Sequence, residues 1–305
     1  MFTEYKMISK RSISLSVLVA ICIGISLFVY KEWKKNQPFS FGVIADCQYC
    51  SDPGSGIRKY AASEQKLKQC VDHFNTMDLE FVVHLGDFID RDMASFKVVG
   101  PIFEKLKMSS YHVLGNHDFS VSDDLKSKVP QIMGLESRYY DFEINGWRFV
   151  VLDGNDISFH AYPATSQQFK DAEQYYEEHH IQTPKWNGAI GDKQLSWLAD
   201  VLEEASTKGE KAVLYCHFPV FPENQHNLWN ADEIIELIEN NSCVKAYMNG
   251  HNHAGNYAIK EGIHYLTFQG MVDTKETSYA TIQVKKDQMI VTGFGREENR
   301  ILEIK

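Results

Sequence analysis

Residues 39–49 read FSFGVIADCQY. The stretch opens on a short apolar run, Phe39–Ala45, and turns polar at Asp46 and Gln48. Such a run reads as a buried strand with polar groups at its C-terminal end. The arrangement recurs. Phe81–Leu85 runs into Gly86-Asp87, and Tyr111–Leu114 into Gly115-Asn116-His117-Asp118. Ala212–Cys216 runs into His217, and Val244–Met248 into Gly250-His251-Asn252-His253. Between them, apolar residues at helical spacing predict helices over 63–75, 96–106, 192–205 and 232–240. Ligand sites of α/β sheets gather at the carboxyl ends of strands, so five strands that each end in Asp, Asn, Gln or His point to one converging site.

Elsewhere the chain is mostly β. Tyr139–Ile144 and Trp147–Leu152 flank Asn145-Gly146, a strong hairpin signal. Four further hairpin strands follow at 257–260, 263–268, 279–285 and 289–294. Residues 155–188 are polar, aromatic and irregular, and read as an insertion or lid. No internal repeats are visible. The 305 residues are 44% hydrophobic and 24% charged, which suits a folded α/β chain and excludes disordered and low-complexity classes. The net charge of −10 argues against a nucleic-acid partner, which requires a basic face. Six cysteines, at 22, 47, 50, 70, 216 and 243, show no framework spacing and read as free buried thiols.

The strand-end residues form an ordered set: Asp46 and Gln48, Asp87, Asn116, His217, His251 and His253. Two divalent ions roughly 3.5–4 Å apart clamp a phosphoryl centre and activate a bridging water. Oxygen and imidazole ligands suit manganese, iron or zinc. A carboxylate has two oxygens to share, so Asp87 is the natural bridge. Asp46, Gln48 and His253 would complete one shell, and Asn116, His217 and His251 the other. His117 is placed for acid chemistry or phosphate contact, with Asp90 or Asp118 as the carboxylate that keeps it protonated.

These motifs resemble the calcineurin-like metallophosphoesterase superfamily. Within it, FGVIADCQY, LGDFID, YHVLGNHDF, FVVLDGNDIS, WNGAIGDKQLSWL, HFPVFP, LWN and GHNHAGNY follow the order of the manganese-dependent ADP-ribose/CDP-alcohol diphosphatase family. The resemblance covers roughly residues 39–300. It implies an α/β fold, a β-sandwich of two mixed sheets flanked by helices. It also implies two divalent metal ions, manganese first, and hydrolysis of the phosphoanhydride of nucleotide diphospho compounds. By motif position, the metal ligands carry onto Asp46, Gln48, Asp87, Asn116, His217, His251 and His253. Choice of base falls to side chains around the metals: Tyr49, Phe119, Trp186, Asn187, Trp229, Asn230 and Tyr257. Where the family pattern has Gly-Gly-Tyr and Trp-Asn-Tyr, this chain has Gly255-Asn256-Tyr257 and Trp229-Asn230-Ala231. The alternatives are another phosphoesterase of the same fold, acting on phosphomonoesters or cyclic nucleotides, and a non-catalytic scaffold. Purple acid phosphatases place Tyr three residues after the bridging Asp, where this chain has Asp90. Cyclic-nucleotide enzymes keep His where this chain has Gln48.

Ahead of that domain, residues 12–30 (SISLSVLVAICIGISLFVY) contain no charge and are flanked by lysines and an arginine. Their length suits a bilayer core, and the bulky end at Leu27-Phe28-Val29-Tyr30 disfavours a cleaved signal. The expectation is a membrane protein with a single-pass N-terminal anchor. Residues 1–37 would then be anchor and linker, and 38–305 the phosphoesterase domain.

Overall fold

Side-chain alternation along the first strand sets the layering. Phe39, Phe41 and Val43 enter a central core, while Ile44 packs with Leu67, Phe74 and Val82 in an outer one. A strand with apolar residues on both faces must be covered on both. The structure, a computed structural model, describes residues 37–304 together with Val17, Val19, Ala20, Ile21 and Ile23.

The chain first builds β1 (Phe39–Ile44), α1 (Ser63–Phe74), β2 (Phe81–His84), α2 (Met93–Phe103) and β3 (Ser109–His112). These are two parallel crossovers, with β1, β2 and β3 side by side. A short α3 (Val129–Ile132) precedes the hairpin β4 (Tyr140–Ile144) and β5 (Trp147–Val151). Its turn residues Asn145 and Gly146 have φ of 49° and 77°, the left-handed pair that a tight hairpin requires. Next come β6 (Ile157–Ser158), α4 (Gln167–Glu178), β7 (Gly188–Ala189), α5 (Asp192–Thr207) and β8 (Lys211–Tyr215). The chain continues with α6 (Ala231–Glu239), β9 (Val244–Asn249), β10 (Asn256–Lys260) and β11 (Ile263–Thr267). It closes with β12 (Ser278–Val284), β13 (Gln288–Gly295) and β14 (Arg300–Glu303).

Two six-stranded mixed sheets result, in the orders β14-β13-β12-β1-β2-β3 and β10-β11-β9-β8-β5-β4. Their inner faces meet in one core. Phe41 stacks on Phe81 with ring centroids 4.7 Å apart and meets Phe149 of the other sheet edge-on at 5.6 Å. A fully buried ring of this kind contributes about 3–5 kcal/mol against truncation to alanine. α1 and α2 cover the outer face of the first sheet, and α5 and α6 that of the second. Gly42 lets α1 sit close, because a Cβ there would lie 2.8 Å from the Phe74 ring. The expected sandwich of two mixed sheets flanked by helices is therefore the observed fold.

Several expectations change. Residues 155–188 are not wholly irregular: they hold α4 and the small β6–β7 sheet. The second helix starts at Met93 rather than 96, because the Asp92 carboxylate caps it by accepting from the Ser95 N–H at 3.0 Å. Cys47, Cys50, Cys70, Cys216 and Cys243 are free and buried, as read. The transmembrane helix and membrane localisation expected from residues 12–30 are corrected. No helix among the described residues is long and apolar enough to cross a membrane. A span requires about 20 helical residues. Most of the 12–30 run lies outside the described residues, and only Val17, Val19, Ala20, Ile21 and Ile23 of it are described, as helical and exposed.

Candidate metal centre

The strand-end loops are laced together before any side chain is considered. Asp46 N–H donates to Gly86 O at 3.2 Å and Gln48 N–H to Asp87 O at 2.8 Å. At the ends of β8 and β9 in the second sheet, Gly250 N–H donates to His217 O at 3.0 Å. Asp46, Gln48, Asp87 and His251 have φ of 50°, 42°, 55° and 63°. Left-handed backbone at a non-glycine residue costs roughly 1–3 kcal/mol. Four such residues in one place mark a site whose geometry outweighs local preference. The loops also pack too closely for bulk: a Cβ on Gly115 would lie 2.2 Å from the Asp87 amide nitrogen.

Two donor triads converge there. Asp87, His217 and His251 form one, and Asp46, Asp87 and His253 the other. All are buried, and within each triad the donor atoms lie within 4.8 Å of one another. Asp87 belongs to both. Asn116 Oδ1 stands 3.2 Å from His217 Nε2 and joins the first group. Gln48 Nε2 donates to Asp87 Oδ2 at 2.9 Å and joins the second.

The histidine tautomers follow from their outer partners. His217 Nδ1 faces Leu85 O at 2.9 Å, His251 Nε2 faces Asn187 Oδ1 at 2.9 Å, and His253 Nδ1 faces Asp273 Oδ1 at 3.2 Å. Each acceptor favours an N–H on that nitrogen and leaves the other nitrogen as an electron-pair donor, although at His253 the Arg58 guanidinium also lies against Nδ1. Those other nitrogens look inward. His217 Nε2 is 3.2 Å from Asp87 Oδ2, and His253 Nε2 is 3.3 Å from Asp46 Oδ1. His251 Nδ1 is 3.1 Å from His217 Nε2. Three imidazoles locked this way around two carboxylates fit a pair of divalent cations. The Arg58 guanidinium lies against Gln48 Oε1 at 3.0 Å and His253 Nε2 at 2.8 Å, so a positive group is what these donors receive.

The electrostatics agree. Burial favours the neutral Asp87 carboxyl, but the His217 and His117 charges outweigh it and hold Asp87 well below the usual carboxylate range. Burial lowers His217, yet the Asp87 carboxylate brings it up to about 9. Burial and the His217 charge push His251 well below its ordinary value. The donors are thus poised so that cations replace protons. Asn187 donates its Nδ2–H to Gln225 O at 2.8 Å while its Oδ1 holds His251. Asn187→Ala should therefore weaken binding of one cation about 10–100-fold, the usual effect of losing such an outer partner. Titration of metal-stripped protein with manganese checks this, and an unchanged affinity contradicts it.

His117 stands at the edge, part-exposed, with Nδ1 3.2 Å from Asp90 Oδ1 and its backbone N–H donating to Asp87 Oδ1 at 2.8 Å. Burial lowers its pKa, but the Asp87 charge and the Asp90 hydrogen bond raise it to about 9. Of the two carboxylates expected to serve it, Asp90 is the partner. Asp118 instead braces the loops, accepting backbone N–H groups of Asp87, Phe88, Ile89 and Gly115 at 2.8–3.3 Å. Burial and the nearby Asp87 charge raise Asp118 to about 7.

The sequence profile of the calcineurin-like phosphoesterase family matches residues 39–255. The chain belongs to that family. It is 31% identical to an Arabidopsis thaliana protein named manganese-dependent ADP-ribose/CDP-alcohol diphosphatase, over 87% of this chain and 97% of that one. A Mus musculus protein of the same name is 30% identical, over 88% and 94%. A crystal structure described as a dimetal phosphatase from Danio rerio superposes with a TM-score of 0.79 at 25% identity, covering 88% of this chain and 99% of that one.

In this calcineurin-like phosphoesterase the residues expected around the metals separate. Gln48, Asp87, Asn116, His117, His251 and His253 line a cleft of about 240 Å³ with Arg58, Trp186 and His226. Trp186 is 43% exposed. Of the seven side chains expected to choose the base, Trp186 lines that cleft and the other six do not. Tyr49 and Phe119 are buried in the core beneath α1 and α2, with the Arg138 guanidinium 5.1 Å above the Phe119 ring. Trp229 packs edge-on against Phe159 and Tyr176 at 5.5 and 5.1 Å. Asn230 exchanges hydrogen bonds with the Ile190 backbone at 3.1 and 2.8 Å. Tyr257 sits on β10, its hydroxyl 2.8 Å from His264 Nδ1. A larger hollow of about 820 Å³ opens beside Phe221, Glu223, Trp229 and Asp232, but it contains none of the expected metal donors, so the smaller cleft is the chemical one.

Arg58, His226 and Asp273 escape sequence reading. Arg58 lies ten residues past Gln48 in a Gly-Ser-Gly loop, and His226 nine residues past His217. Their proximity to known strand ends was the available signal. Asp273 carries none, because it reaches His253 only through the fold.

Proposed function

We propose that this chain is a dimetal hydrolase that cleaves the phosphoanhydride of nucleotide diphospho compounds, with ADP-ribose and CDP-alcohols as the substrate class. The observation that carries the reading is the pair of buried donor triads sharing Asp87, in a chain that aligns along most of its length with relatives named for that activity. Asp46, Gln48, Asp87 and His253 would hold one cation, and Asp87, Asn116, His217 and His251 the other. Manganese is the first choice, from the relatives' names and the oxygen–imidazole donor set. When bound, the two cations neutralise phosphoryl charge and acidify water.

The chain's own groups then do the positioning. Asp90 engages His117 Nδ1 and leaves Nε2 to donate to a phosphoryl oxygen, as a charged donor at neutral pH. The fixed outer partners Leu85 O, Asn187 and Asp273 keep the imidazoles from rotating. Trp186 at the cleft mouth is the ring on which a base would stack. Residues 38–305 form the catalytic domain in this reading. One exposed ring supplies roughly 1–3 kcal/mol of stacking, so preference among bases should stay modest.

The test is kcat/KM of the manganese-loaded chain for ADP-ribose, CDP-choline, a cyclic nucleotide and p-nitrophenyl phosphate. The diphospho compounds should rank first, within about a thousandfold of each other, the limit one or two stacking contacts set. A lead for the cyclic nucleotide or for p-nitrophenyl phosphate would replace this reading with phosphodiester or phosphomonoester hydrolysis.

A further inference from the structure

Among the described residues lining the cleft, Arg58 is the one lysine or arginine. Its backbone is anchored on both sides. Arg58 N–H donates to Ser55 O at 3.0 Å and Lys59 N–H to Val272 O at 3.1 Å, and Arg58 bridges to Asp273 across the two loops. Its side chain is 35% exposed. The Asp273 carboxylate, 3.4 Å from Nη1, tethers it. Asp273 is itself on a braced loop, since the buried Lys66 ammonium donates to the carbonyls of Met271, Asp273 and Thr274. Arg58 also touches Gln48 Oε1 and His253, two donors assigned above to one cation. A guanidinium and a dication do not share those donors, so Arg58 must give them up and stay at the rim on its Asp273 tether.

Resting on the diphosphatase reading, we infer that Arg58 is a catalytic residue that binds the second, departing phosphate of the substrate. Charge decides what such a group is for. In anhydride hydrolysis the water oxygen bonds to the attacked phosphorus and the bridging P–O bond breaks. The electron pair stays on the bridging oxygen, and the water's protons go to solvent. The departing phosphate therefore gains one negative charge. A guanidinium stays charged at any working pH and presents a planar fork of donors that matches two phosphate oxygens. His117 serves the Asp87–Asn116 side of the centre and Arg58 the Gln48–His253 side, so the two cationic groups flank a diphosphate from different directions. A phosphomonoester has no second phosphate to meet Arg58, which makes Arg58 the group that selects diphospho substrates.

The test compares manganese-loaded wild type, Arg58→Gln and Arg58→Lys. Three quantities are read: metal content, kcat/KM for ADP-ribose, and calorimetric affinity for methylenediphosphonate and for inorganic phosphate. Arg58→Gln should keep two metals per chain and lose about a hundredfold in kcat/KM, the scale of one lost transition-state donor. Its affinity for methylenediphosphonate should fall at least about tenfold and its affinity for phosphate much less. Arg58→Lys should recover part of both losses. A change of less than about threefold in kcat/KM and methylenediphosphonate affinity, an equal fall for both anions, or loss of a metal overturns the inference. Wild type that hydrolyses neither ADP-ribose nor CDP-choline would overturn the underlying reading instead, and the anion comparison would still report on Arg58.

Discussion

Asp87→Ala should carry neither cation and lose at least about a thousandfold in kcat/KM, because removing the shared ligand dismantles both sites at once. The structure makes this residue unlike its neighbours. One oxygen accepts the His117 backbone N–H at 2.8 Å, and the other faces both Gln48 Nε2 at 2.9 Å and His217 Nε2 at 3.2 Å. Its charge is also what raises His217 and His117, so the loss reaches beyond coordination. Asp46→Ala provides the contrast. Asp46 faces His253 and accepts the His251 backbone N–H, so its removal should chiefly empty the Gln48–His253 side. Metal analysis of folded protein distinguishes the two variants. Two ions per chain in Asp87→Ala would show that the bridge is elsewhere.

His117→Ala should retain both cations and turn over at least about a hundredfold more slowly, within the range of a lost acid/base or charged donor group. Its pH dependence follows from its partners. The Asp87 charge and the Asp90 hydrogen bond raise the imidazole, so the active form is the protonated one and is lost as pH rises through its pKa. Cations on Asp87 screen part of that effect, which places the alkaline limb of kcat at or below about 9. Asp90→Asn should move the limb to lower pH without changing metal content, and His117→Ala should abolish it. A near-normal kcat in His117→Ala, or an alkaline limb that survives there, would remove His117 from the chemistry.

What was legible in the sequence is what is local. Buried strands announce themselves as apolar runs, and polar residues at their ends announce a site, because chain direction and sheet order bring those ends together. Asp46, Gln48, Asp87, Asn116, His217, His251 and His253 stand out that way, and the structure brings all seven within one cluster of contacts. Adjacency, however, says nothing about which way a side chain faces. Phe119 is two residues from His117, yet the turn between them sends its ring into the core. Asn187, expected around the substrate from its place in the sequence, is instead fully buried and locks the His251 ring. Arg58 and Asp273 are 215 residues apart in sequence and meet only because their loops pair. The helix α4 was missed because only Ala172 along it is fully buried, leaving no apolar stripe to read.

The most direct measurement is anomalous scattering from a crystal of the chain grown with manganese. Two peaks are expected, one among Asp46, Gln48 and His253 and one among Asn116, His217 and His251, with Asp87 between them. A single peak, or peaks away from Asp87, would contradict the account.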